Sequence, residues 1–364
     1  MFSRVSLALG FSAALSATLI SKEIPAPVPF PATRVTIEGN GEPALKSTLD
    51  QLRRSGISVE APDISLKDSG TFVAKPAPAW EALEAIAAAT GTRLDVLDHG
   101  RRVALVKRDG PPEPSCVRGP FRIVAKQVQG RRNLATGNSF QEVELLVHWE
   151  PRYPVYRIDA VPRITTATDD LGNALTAASA SVLSPVNGAA SHVLPVRLLN
   201  VTRKAQTIAE LAGDFTITAS ERLLPFRFAN LGGKLPVDGT LPMGVKADGV
   251  KAVLADWSAI RINDAPFWEA TVHLSYPEGM PVFQSFETWL GENKIRLVTP
   301  QGVAIAPDQI EEPLPAREMT MAYRFAAAKL PGNPAGAGWS LVYDTPAPLT
   351  EFKVPFSLKQ VPLP

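Results

Sequence analysis

The residues most able to do chemistry are few: four histidines, one cysteine, six tryptophans and a scatter of acids. His148 and His273 stand 125 residues apart at matching places in two alternating stretches, 142–149 and 269–276. Neutral imidazole is a metal ligand, but no two histidines have the i,i+4 spacing of a helical metal site. A solvent-facing strand position is therefore the expectation for both. His99 falls in an Asp-His-Gly turn and His192 just ahead of a strand. Cys116 has no histidine near it in sequence to activate the thiol, so a free, structural cysteine is expected. Asp169-Asp170-Leu171-Gly172-Asn173 carries oxygen ligands around a glycine but lacks the calcium-loop spacing and its distant bidentate glutamate, which favours an Asx-type turn. Glu311-Glu312 lies ahead of a proline in a polar loop. No G-x-S-x-G elbow and no phosphate-cradling G-K-[ST] loop occurs. The expectation is no catalytic residue, no cofactor and no metal.

Tryptophan is the exception. Trp257, Trp268, Trp289 and Trp339 all fall in the last third of the chain. Exposed aromatics on a sheet can stack on sugar rings, which makes Trp257, Trp268 and Trp289 candidate ligand-stacking residues. The competing reading is that large aromatics fill cores.

These residues sit in elements readable from periodicity. Val143, Leu145, Val147 and Trp149 alternate with Glu142, Glu144 and His148. Ala270, Val272, Leu274 and Tyr276 repeat the pattern, opposite Glu269, Thr271 and His273. The correspondence runs on. The segment 196–199 echoes 321–325, Gly213-Asp214-Phe215 echoes Gly338-Trp339-Ser340, and each copy closes on an aromatic strand, 225–228 and 354–358. Short strands between turn signals predict two consecutive β-sandwich domains, 117–232 and 248–364, joined by a linker at 233–247.

Upstream, 34–108 reads as a small α/β domain, separated by a linker at 109–116. Arg34-Val35-Thr36-Ile37 alternates as a strand. Leu45, Thr48, Leu49 and Leu52 then recur at helical spacing, and Gly56 stands where a left-handed cap would end the helix. Ile57 and Val59 alternate again. A second pass follows: a strand at 71–73, a helix carrying Trp80, Leu83 and Ile86, a stop at Gly91, and strands at 94–96 and 103–106. The phrase KPAPAWEALEAIAAATGTRLDVLDHGRRVALV resembles the short amino-terminal (STN) domain of secretins and TonB-dependent receptors. Trp80, Leu83, Ile86 and Gly91 match its second helix, and Leu49, Leu52 and Gly56 its first. The resemblance implies a periplasmic or envelope domain that docks other proteins. No barrel or secretin-ring segment follows, so pore and receptor functions do not carry over. The whole arrangement resembles bacterial envelope proteins that join an STN-like domain to Ig-like sandwiches. The fold class expected is thus a small α+β amino-terminal domain followed by a mostly-β region of two tandem Ig-like sandwiches.

Residues 1–20 read as a signal peptide: Arg4, an apolar run to Ile20, and small residues offering cleavage. The run is short for a spanning helix, which leaves an amino-terminal anchor as the lesser reading, and nothing later is long enough to cross a bilayer. Residues 21–33 form a proline-rich linker. Proline totals 34 of 364, about 9% against a usual ~5%, which favours short strands and rigid connections. With 37 basic against 36 acidic residues there is no general pull toward nucleic acid. The reading that follows is a non-catalytic exported protein of the periplasm or cell surface, working through another envelope protein or as a spacer. Glycan binding is the alternative.

Overall fold

The computed structural model describes residues 28–36, 41–54, 56–61, 76–132, 134–137, 139–178, 182–186, 188–278, 293–311 and 318–364. The expected signal segment, the strand at 71–73, Glu312 and Trp289 lie outside them.

The first unit is α/β. It contains β1 (Arg34–Thr36), α1 (Gly41–Arg54), β2 (Ser58–Glu60), β3 (Pro76–Pro78), α2 (Ala79–Thr90), β4 (Thr92–Leu97) and β5 (Arg102–Lys107). β1 pairs with β3, while β2 runs parallel to β5 and β5 antiparallel to β4. α1 buries Leu45, Thr48, Leu49 and Leu52, the stripe that its spacing specifies. It ends in a Schellman motif: Gly56 has φ +85°, its N–H donates to Arg53 O, and the Ile57 N–H donates to Leu52 O. α2 ends on Gly91, also left-handed, and buries Trp80, Leu83 and Ile86 against α1 and the sheet.

The rest is mostly β and forms two lobes. The first supplies β6 (Ser115–Arg118), β7 (Phe121–Arg132), β8 (Ser139–Trp149), β9 (Val155–Asp159), β10 (Arg163–Asp169), β11 (Thr176–Ala177), β12 (Leu183–Pro185), β13 (Ser191–Leu199) and β14 (Thr207–Ala229). The second supplies β15 (Val237–Asp238), β16 (Lys251–Ile262), β17 (Ala265–Ser275), β18 (Lys294–Val298), β19 (Ala304–Ile305), β20 (Gln309–Glu311), β21 (Glu318–Ala326) and β22 (Ser340–Pro362). Each lobe has its own outer sheet, ordered β11-β13-β8-β7-β6 in the first and β20-β21-β17-β16-β15 in the second. The two sheets correspond strand for strand, and β7 and β16 each carry a bulge.

A third sheet, β12-β9-β14-β22-β18-β19 with β10 also on β14, belongs to both lobes. Its centre is the antiparallel pair β14–β22, in register from Thr207↔Pro362 to Ala229↔Ser340. The first half of β14 places Leu211, Phe215 and Ile217 in the first core, together with Val354, Phe356 and Leu358 from the end of β22. The second half of β14 places Leu224, Phe226 and Phe228 in the second core, with Leu341 and Tyr343 from the start of β22. From Leu211 onward the buried apolar residues of β14 switch from odd to even numbers with no shift in its pairing to β22. Successive side chains point to opposite faces of a strand, so the outer sheets pack on opposite faces of the shared sheet. The lobes are therefore not consecutive in sequence. The chain's last strand completes the first core, so cuts at 232 and 248 would part β14 from β22, the strand pair that both cores share.

Candidate functional site

The α/β unit is fastened to the first lobe along one seam. Trp80, 1% exposed, donates its indole N–H to Pro120 O at 3.0 Å, and its ring lies 5.9 Å from the His148 ring. One turn along α2, Glu84 Oε1 accepts from Arg122 Nε at 2.8 Å and from Ser115 Oγ at 2.5 Å. At the far end, the turn between β4 and β5 abuts the first lobe. The Ala190 N–H donates to His99 O at 2.6 Å, and Arg101 Nη2 donates to Gly188 O at 2.9 Å. Gly100 makes this approach possible: its φ is +94°, and a Cβ there would stand 2.3 Å from the Ala190 carbonyl carbon.

The segment ahead of β1 is also fastened down. Thr33 donates its N–H and hydroxyl to the Glu150 carboxylate, which is fully buried and also takes Arg152 Nε at 2.8 Å. Phe30 stacks on Tyr153 at 4.8 Å and belongs to the first β core. The described end of the expected proline-rich spacer is thus packed rather than free. A phenylalanine among the prolines supplies enough apolar surface to hold it.

His148 differs from expectation. It points outward from β8, but α2 covers it, leaving it 2% exposed with Nδ1 unpartnered among the described residues. Burial, together with the positive charges of Arg122 and Lys126, lowers its pKa to about 3, so the ring is neutral. His273, at the matching position on β17, is exposed. Residues beside the two histidines differ as well: Arg122 pairs across from His148, whereas Val253 pairs across from His273.

Cys116 on β6 is half-buried against the first core, and burial pushes its thiol up, which keeps the thiolate scarce. Asp169 closes a hydrogen-bonded turn, accepting from the N–H groups of Leu171 and Asn173 and from Asn173 Nδ2. The Asn173 side chain leads the effects that hold its carboxyl below the usual range. Among the described residues, no group of three or more His, Cys, Asp or Glu could hold a metal ion, and no helix is long and apolar enough to cross a membrane.

Of the candidate stacking residues, Trp257 is 6% exposed in the second core, with its indole N–H unpartnered among the described residues. Trp268 is half-buried and stacked on it, with centroids 5.2 Å apart. Both project to the core side of the second outer sheet, so Trp257 offers no ring face to a sugar. Trp339 is also in this core.

Beside the seam, a cleft of about 550 Å³ opens between α2, β4 and the segment joining β5 to β6. Arg93, Arg108 and Arg122 line it, with Glu84 on one wall and Ala87 and Leu94 beneath. No motif or spacing in the sequence marks Glu84, Arg93, Arg108 or Arg122 as a site. The available signal was Arg122 itself, a charge inside the apolar run Phe121–Ala125. No protein-family model, curated protein or solved structure matches the chain.

Proposed function

We propose that the chain is a non-catalytic exported envelope protein that works by protein–protein contact and spacing, its two β lobes being Ig-like sandwiches and its α/β unit an STN-like docking domain. The observation that carries this reading is the pair β14 and β22. Each is 23 residues long and each serves both cores. At about 3.3 Å per residue such a pair extends roughly 70 Å, a length suited to holding an attached unit away from an anchoring point. The attached unit uses α2 to grip the body and leaves Lys46, Ser47 and Arg53 of α1 exposed. A partner would meet that α1 face.

The test is site-specific photo-crosslinking of the full chain in its own cells, with the reactive residue at Lys46 or, as a comparison, at Lys251 on the second lobe. The reading expects recovery in the envelope fraction and one discrete adduct from position 46. Cytoplasmic recovery, or adducts that do not depend on position, would overturn it. Glycan binding, the second reading, rests on Trp268 among the described residues. Array binding that Trp268→Ala abolishes would favour it over the first.

A further inference from the structure

We propose that the cleft beside the seam binds a small anionic molecule, one carrying a carboxylate or phosphate on a short apolar body. Arg122 is 5% exposed yet lines the cleft. Its Nε is engaged by Glu84, and its side chain makes no other hydrogen bond or ion pair among the described residues. The two terminal amino groups therefore bring four N–H donors to a largely buried position without a protein acceptor. These amino groups are not sealed from solvent but open into the cleft, where an oxyanion can take two of their N–H groups in parallel, the bidentate pairing that a guanidinium favours.

Two further guanidinium groups stand around the same space. Arg108 is half-buried, and its side chain has no partner among the described residues. Arg93 makes one loose contact, to Asp95 at 3.6 Å. The acids on the wall are less free than the bases. Glu84 is held by Arg122 and Ser115, Glu113 is paired with Lys126 at 2.7 Å, and Asp109 is exposed at the rim. Ala87 and Leu94 are buried beneath and give an apolar floor. The volume lies within the range of small-molecule sites, roughly 300–1,000 Å³. Three arginines over an apolar floor suit a short peptide with a free carboxylate or a compact phosphate ester, since both offer two anionic oxygens that can accept parallel guanidinium N–H bonds.

The experiment is calorimetric titration of the full chain with three probes: inorganic phosphate, N-acetyl-alanyl-alanine and the carboxamide of that dipeptide. One or both anions should bind, the carboxamide should not, and Arg108→Gln should weaken binding about tenfold. Phosphate alone, or the dipeptide acid alone, identifies the source of the anion. Arg108 has no side-chain hydrogen bond or ion pair to lose among the described residues, so its variant should fold, and Arg93→Gln serves as a second probe of the same wall. Failure of both anions to bind would overturn the proposal. So would equal binding of acid and carboxamide, or affinity unchanged in both arginine variants.

Discussion

The two lobes use the same outer-sheet design and differ in what lies on it. In the first, the row Arg122–His148–Ser191 crosses β7, β8 and β13, and α2 covers its centre. In the second, the equivalent row is Val253–His273–Thr320, with His273 and Thr320 exposed. Polar residues at outward positions have thus become an interface in one copy and stayed a surface in the other. The first lobe matches its cover with specific partners, Glu84 for Arg122 and Pro120 O for the Trp80 indole. The second has Val253 where Arg122 would be, so a second α/β unit docked in the same way would leave its Glu84 without a guanidinium. The repeat conserves the scaffold of strands; the docking chemistry belongs to one copy.

The largest effect is expected at the shared strands. Ending the chain after Glu351 removes Val354, Phe356 and Leu358 from the first core while leaving the sequence of that lobe untouched. Calorimetry should show loss of the first lobe's transition. Its survival would mean that the lobes fold as consecutive units. Next in size is Trp80→Ala, which empties a fully buried site and removes the bond to Pro120. A loss of about 3–5 kcal/mol is expected in urea titration. Rapid protease cleavage in the 109–114 segment should accompany it.

A pH titration sharpens the contrast. His148 is neutral when folded, with a pKa of about 3 against 6.5 for the free side chain, so the unfolded chain binds the extra proton between those values. Stability from this group is intact above pH 6.5 and falls as the pH drops toward 3, by a few kcal/mol at most. The facing charges are Arg122, Lys126 and, through Arg122, Glu84. His148→Leu, which also removes the unpartnered Nδ1, should flatten the acid limb of the stability curve. An unchanged acid limb would show that the ring is not buried under α2. The smallest effect belongs to His273→Ala. On an open face it should shift stability by no more than about 0.5 kcal/mol at pH 7. A larger loss would mean that the second face is covered after all.

Much of this organisation was legible residue by residue. Leu45, Leu49 and Leu52 line the helix face that their spacing marks, Gly56 and Gly91 end their helices in left-handed conformation, and the 125-residue echo places His148 and His273 on equivalent strands. The seam and its cleft were not legible. Arg122, Glu84 and Gly100 come together from a strand, a helix and a turn, and no local pattern links them.

Local pattern in the chain marked the two helices with their glycine stops, the alternation of β8 and β17, and the repeat within the β region. It did so because these properties depend on neighbours within a few residues: period 3.6 or 2, and a residue free to take positive φ. That β14 and β22 run through both cores, and that α2 covers His148 and not His273, follows instead from contacts between distant parts of the chain. Alternation says which side chains leave a sheet on the same face. It does not say which sheet that strand will share, or what will come to lie on its outer side.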